Sequence, residues 1–159
     1  MPRTLLLMFA WLLALFGCDL RMLDLKPGVS TATEVRSAMG QPTFEWKAPD
    51  GSVTWEFPRG PSGSVTYMVD LRPDGVLKEI RQVLTEAYFA KIQPGLSKDE
   101  VRKLIGKPAE TMTFPLKKEE VWSWKFEQGS GQYWHLHVHF DLGGTLPISA
   151  AEPMILLKA

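Results

Sequence analysis

The chain has 159 residues, of which 45% are hydrophobic and 23% are charged, and its formal net charge is zero. This composition is typical of one folded domain or two small ones and excludes a largely disordered chain. The balanced charge gives no basic surface of the kind that binds nucleic acid.

The N-terminus has the pattern of an export signal. Arg3 precedes an unbroken apolar run from Leu5 to Phe16. The run is too short to span a bilayer but has the length of the apolar part of a signal peptide. It ends at Leu15-Phe16-Gly17-Cys18, which resembles the bacterial lipobox except for Phe16, and Cys18 is the only cysteine. We predict a lipoprotein signal peptide over residues 1–17 and lipidation of Cys18; the alternative is an ordinary signal with an incidental cysteine.

A short helix with its own start and stop signals follows. Pro27 and Gly28 form a turn, and Thr31 and Glu34 have the spacing of a capping box. Apolar residues at helical spacing come next, and Gly40 and Pro42 end the helix.

The same pattern occurs a second time, after residue 90. Ser97 and Glu100 are the capping pair there. The turn before the helix and the stop after it have the same residue types, at Pro94, Gly95, Gly106 and Pro108. We interpret the chain as two copies of one unit.

Strand patterns follow each helix. In the first copy, apolar residues alternate over Val53 to Phe57 and Val65 to Leu71, and a third run covers Val76 to Thr85. In the second copy the runs are Trp122 to Phe126, Trp134 to Phe140 and the Pro-interrupted Leu146 to Ile148.

A weaker helical segment precedes each capped helix, around Leu20 to Leu23 and again from Ala87 to Ile92. The predicted fold class is therefore α+β, with two tandem ααβββ units, each a short helix pair packed on a three-stranded antiparallel meander. The predicted boundaries are 19–84 for the first unit and 85–149 for the second, with 150–159 left as a tail without an assigned element.

Three histidines at alternate positions, His135, His137 and His139, are predicted to lie on one face of a strand. Three such ligands are the number that a catalytic zinc site uses. The same strand turns Leu136, Val138 and Phe140 inward, however, so it needs polar residues on its other face. We interpret the histidines as a solvated face and as weak metal candidates, and we predict no cofactor.

No catalytic constellation is recognisable in the sequence. The serines lie at helix caps and in glycine-rich loops, without a Gly-x-Ser-x-Gly elbow, and the glycine-rich loops lack the lysine of a phosphate loop. We therefore predict that the protein is not an enzyme.

The twice-occurring pattern of turn, capping box, helix, stop and Trp-x-Phe strand resembles the SmpA/OmlA (BamE-like) lipoprotein family. This resemblance covers roughly residues 20 to 146. It implies a periplasm-facing lipoprotein that assists outer-membrane β-barrel assembly or envelope integrity by binding envelope proteins, with the β-barrel assembly machinery as the candidate partner. A member of this family resembles a single unit of this kind, so the duplication in this chain departs from the family pattern. Tandem units also resemble the β-lactamase inhibitor proteins, which gives the alternative of a hydrolase-binding inhibitor.

The predicted location is the cell envelope, with attachment to a membrane through the N-terminus. The resemblance favours the outer membrane. Asp19, directly after Cys18, resembles the inner-membrane retention signal of enteric bacteria and favours the inner membrane.

Overall fold

The computed structural model describes residues 21–129, 131–144 and 154–158, the last of these and Pro61 by their backbone only. The α-helices that lie wholly within these ranges are α1 (Ala32–Met39), α2 (Glu86–Phe89) and α3 (Lys98–Ile105). Strands β1 (Phe44–Lys47), β2 (Val53–Arg59), β3 (Val65–Leu71) and β4 (Leu77–Gln82) form one sheet. Strands β5 (Glu110–Phe114), β6 (Glu119–Gln128), β7 (Gln132–Asp141) and β8 (Met154–Lys158) form a second sheet. Within each sheet, the spatial order of the strands is their order in the chain.

The described residues divide into two compact units. The first consists of residues up to Phe57 together with Val69–Ile80, and the second consists of Pro58–Met68 together with Arg81 and the residues after it. The ends of β2 and β3 around their connecting loop therefore belong to the second unit.

The fold-class prediction of two tandem ααβββ units is wrong. Each sheet has four strands, because β1 precedes the three strands that the sequence indicated in the first copy, and β5 and β8 flank the two indicated strands that are described in the second. The helix that was to pair with α3 is also too short. α2 has four residues, and the Thr85 hydroxyl does not cap it; before α1, only Arg21 and Met22 in the described chain have helical backbone.

The last predicted strand, Leu146 to Ile148, lies outside the described residues, and the strand that pairs with β7 is β8. Four residues give too little apolar alternation to be recognised in β1, and β5 has no buried side chain at all. Both strands are defined by their backbone pairing with a longer neighbour, which a local pattern does not show.

Both predicted capping boxes are confirmed. Thr31 Oγ1 accepts a hydrogen bond from the Glu34 backbone N–H, and the Glu34 carboxylate accepts one from the Thr31 N–H at 2.7 Å. Ser97 and Glu100 form the same pair at the start of α3, where the corresponding distance is 2.8 Å. These bonds to the charged carboxylates hold the pKa of Glu34 and of Glu100 below the usual value for glutamate.

The glycines that end α1 and α3 are confirmed as stop residues. Gly40 and Gly106 have φ of 81° and 87°, a backbone conformation that favours glycine. Each donates its backbone N–H to a carbonyl four residues earlier, Arg36 O and Arg102 O. The last turn of each helix is thereby closed without a side chain.

The core of the second unit lies between the helices and one face of the second sheet. It contains residues from α2, α3, β6 and β7 and the segments beside α2: Leu84, Phe89, Ile92, Val101, Ile105, Trp124, Phe126, Leu136, Val138 and Phe140. The Phe89 and Phe126 rings meet edge to face with centroids 4.8 Å apart. α3 is held to the sheet by its end, because Trp124 Nε1 donates to Gly106 O at 3.1 Å.

The start of α3 is held to the same sheet by a charged contact. Lys98 Nζ lies 2.6 Å from Glu120 Oε2, and Trp122 Nε1 donates to the other carboxylate oxygen, also at 2.6 Å. The hydrogen bonds from Lys98 and Trp122 hold the pKa of Glu120 below its usual value. Both ends of the helix are therefore fixed to β6.

In the first unit α1 lies on the first sheet. The Arg36 guanidinium lies 4.3 Å from the centre of the Trp55 ring and donates to the Glu45 carboxylate at 2.9 Å. Val35, Ala38 and Met39 are buried on the same helix. A turn at Pro73-Asp74-Gly75 joins β3 and β4, with Gly75 at φ of 77°.

We expect Trp124→Phe to lower the free energy of unfolding by about 2 kcal/mol, because it leaves the buried Gly106 carbonyl without its donor. The measurement is urea denaturation followed by far-UV circular dichroism. Leu142→Ala is the control, since Leu142 is 54% exposed and its loss should change stability by less than about 0.5 kcal/mol. Equal effects of the two substitutions would contradict the role given to Trp124.

Candidate functional site: the histidine face and the β5 edge

The second sheet has a polar face opposite its core, which we call the histidine face. The strand registers place its residues in rows across β5, β6 and β7. One row is Glu110, Ser123 and His137, and the next is Met112, Val121 and His139. Lys125 lies opposite His135 in a third row. The strand alternation that buries Leu136, Val138 and Phe140 therefore brings the three histidines together on the other side.

The predicted placement of the histidines on one strand face is confirmed, and the structure adds their partners. The His135 and His137 rings are stacked with centroids 6.0 Å apart. His137 Nδ1 lies 2.8 Å from Ser123 Oγ, and His139 Nδ1 lies 3.6 Å from the Glu119 carboxylate. The face is thus a half-buried polar layer with local partners.

Burial lowers the pKa of His137 below the ordinary histidine value, and the nearby His135 and His139 lower it further. Glu110 acts in the opposite direction and raises it. His137 is therefore held towards its neutral form.

The histidines do not form a metal centre in the structure. Within the described ranges, no group of three or more His, Cys, Asp or Glu side chains is placed to hold a metal ion. We therefore do not assign a metal to this face.

The edge of the second sheet carries a more unusual feature. β5 is the first strand in the sheet order, so within the described part of the chain one of its sides has no neighbouring strand, and all five of its side chains are exposed. Met112 is 49% and Phe114 is 37% exposed, and Leu116 in the following 3-10 turn is fully exposed. We call Glu110 to Lys118 the β5 edge.

A cationic end follows the apolar part of the β5 edge. Lys117 and Lys118 are both exposed, and Lys117 Nζ lies 6.0 Å from the centre of the Phe114 ring. Pro115 ends the strand, and Lys118 has left-handed backbone with φ of 55°. The edge therefore presents apolar side chains, strand backbone and two positive charges on one short segment.

The sequence interpretation missed the β5 edge. Its signal was the alternation Thr111, Met112, Thr113, Phe114 between Pro108 and Pro115, residue types that favour strands. The resemblance had drawn attention instead to the turn and stop residues of the capped helices. The structure uses Gly40 and Gly106 as helix ends. Cys18 lies outside the described residues.

The first unit contains an open groove of about 310 Å³, lined by Arg21, Asp24, Leu25, Ser30, Glu34, Ser37 and Ala38. Two of its polar side chains already take part in local structure. Ser30 Oγ accepts from the Lys26 N–H at 3.0 Å, and Glu34 closes the capping box of α1. The groove is explained by the junction of loop and helix, and we assign no ligand to it.

Comparison with known proteins gives little further guidance. No family profile matches the chain, and no curated protein matches it. The crystal structure of a DUF4309 family protein, YjgB, from Bacillus subtilis subsp. subtilis strain 168 is similar over 85% of this chain and 82% of that chain. The two are 20% identical, with a TM-score of 0.31, a value too low to support an argument about fold or function. In the described part of this chain, no helix has the length and apolar character needed to cross a membrane.

We expect the stability of the protein to depend on pH through His137. Because folding lowers the pKa of His137, the unfolded chain binds a proton there at a higher pH than the folded chain does. The titration of His137 therefore leaves the free energy of unfolding unchanged well above the ordinary pKa of about 6.5. As the pH falls through that value, the unfolded chain takes up its proton first, and the folded state loses stability. His137→Gln should remove this loss. The free energy of unfolding in urea, measured from about pH 7 to pH 5, should fall less in the variant than in the wild type. Parallel curves would contradict the assignment.

Proposed function

We propose that this protein is a lipid-anchored accessory of the cell envelope that acts by binding another protein, without catalysis. The proposed setting is the assembly of outer-membrane β-barrel proteins or envelope integrity, as in the BamE-like lipoproteins, and the proposed contact surface is the β5 edge. The observation that carries the binding role is the exposure of Met112, Phe114 and Leu116 along one strand edge.

Exposed apolar residues are common when scattered singly, so their arrangement is what matters. Met112, Phe114 and Leu116 occupy alternate positions of one short segment at a sheet edge. Burying such a segment against a partner removes apolar surface from water at about 25 cal/mol per Å². A protein partner therefore gains from burying these three side chains together.

The proposed envelope location depends on the sequence before the described residues. The apolar run from Leu5 to Phe16 and the Leu15-Phe16-Gly17-Cys18 segment support export and lipidation. Multiple acyl chains on Cys18 give stable attachment, since one chain alone is only marginal. We place the anchor in the outer membrane, facing the periplasm.

We expect Cys18→Ala to release the protein from the membrane, because the variant has no thiol to receive the acyl chains. Fractionation of bacterial cells that express each protein should find the wild type with the membranes and the variant in the soluble periplasmic fraction. Mass spectrometry of the wild-type N-terminus should show an acylated Cys18. An unmodified cysteine there would contradict the anchor.

We expect a photo-crosslinking amino acid at Met112 to capture a protein partner in cells. The matched control is the same substitution at Val29, an apolar residue of the first unit that is 71% exposed. Capture of a component of the β-barrel assembly machinery from Met112 and not from Val29 would support the proposal. Equal capture from both sites, or none from Met112 while a known subunit is captured in parallel, would contradict it.

A further inference from the structure

The three edge strands whose side chains the structure describes are not equally protected. β1 has only four residues and carries Glu45 and Lys47, and Glu45 is paired with Arg36. Charges and short length are the usual means by which a sheet edge avoids pairing with a foreign strand.

β4 is protected in a different way. Residues before α1 lie along its beginning, where Leu77 O accepts from the Gly28 N–H at 2.8 Å and the Leu77 N–H donates to Ser30 O at 2.7 Å. Thr31 and Val76 also form an antiparallel bridge. The rest of β4 carries the charged residues Lys78, Glu79 and Arg81.

β5 is less protected than β1 and β4, with Glu110 as its one charged residue. Four successive residues, Thr111 to Phe114, contain no charge and no proline, and every side chain of the strand is exposed. A strand of this kind at the edge of a sheet is a ready template for another extended chain, because its outward backbone groups still need hydrogen-bond partners.

We propose that the β5 edge binds an extended segment of the partner protein as an added antiparallel strand, with acidic residues of that segment beside Lys117 and Lys118. This inference rests on the proposed protein-binding role of the same edge and names the form of the partner. An antiparallel strand begins next to the end of β5, so its first residues lie near the two lysines. The apolar and β-branched residues that follow lie along Met112 and Phe114.

A second copy of this chain fits the edge less well, because its β5 offers Glu110 as its one acidic residue and is followed by the same two lysines. A partner segment with several acidic residues before its apolar positions has more opposite charge for Lys117 and Lys118.

The test uses the mature lipidated protein in detergent micelles, labelled with ¹⁵N, and the probe peptide acetyl-Asp-Asp-Val-Thr-Val-Thr-Val-amide. We expect the probe to shift the amide resonances of residues 110–114 and to give cross-strand nuclear Overhauser effects to β5. Of two probes, N-methylated at the middle valine or at the threonine before it, one should lose most of its binding, because neighbouring residues of a strand direct their N–H groups to opposite edges and one of the two donates to β5.

Two variants with matched controls test the surface. Met112→Lys should weaken binding of the probe at least about tenfold, whereas Val29→Lys should not change it. Lys117→Glu should weaken binding of the acidic probe about threefold and strengthen binding of a probe that begins with Lys-Lys. Circular dichroism of each variant verifies that it is folded.

Several results would overturn the inference. These are binding unaffected by Met112→Lys, binding without change at residues 110–114, or equal affinity for the acidic and basic probes. Self-association of the protein that Met112→Lys abolishes would assign the edge to a second copy instead. If crosslinking at Met112 captures a partner in cells but no probe binds, strand addition fails while the proposed function stands; if neither occurs, both fail.

Discussion

The packing of α3 on the second sheet is the contact on which the second unit depends. A helix of eight residues is too short to be stable alone in water, so its hydrogen bonds persist only because its apolar side is buried. Val101 and Ile105 provide this burial against Trp124 and the residues around it. The capping box and the glycine stop then satisfy the backbone groups that the short helix leaves without partners.

The two ends of α3 are tied to the sheet by contacts of different kinds. At the end of the helix, a neutral hydrogen bond from Trp124 to Gly106 is buried, and its loss leaves an unpaired carbonyl. At the start, the Lys98 and Glu120 pair is partly exposed, with each side chain about 25% accessible. A single ion pair that is exposed to this extent contributes little to the free energy of folding. The orientation of the helix therefore depends more on Trp124 than on the ion pair.

The same sheet has two surfaces with different properties because strand side chains alternate between faces. One face is the core, and the other holds the three histidines with Ser123 and Glu119 as partners. The histidine face is therefore a consequence of burying Leu136, Val138 and Phe140, and its partners are all local. The β5 edge is different, since all five side chains of the strand are exposed.

The amino-acid sequence by itself determined the capped helices, the main strands and the placement of the three histidines on one face of a strand. These features depend on residues within a few positions of one another, so spacing is enough to reveal them. The resemblance to BamE-like lipoproteins and the lipidation of Cys18 also come from the sequence and stay predictions. Only the tertiary structure decided that each sheet has four strands, since β1, β5 and β8 are defined by pairing with a neighbour and not by their own pattern. It likewise decided that Met112 and Phe114 are exposed at an edge: exposure depends on which strands lie beside them, and alternation alone is the same for a covered strand and an open one.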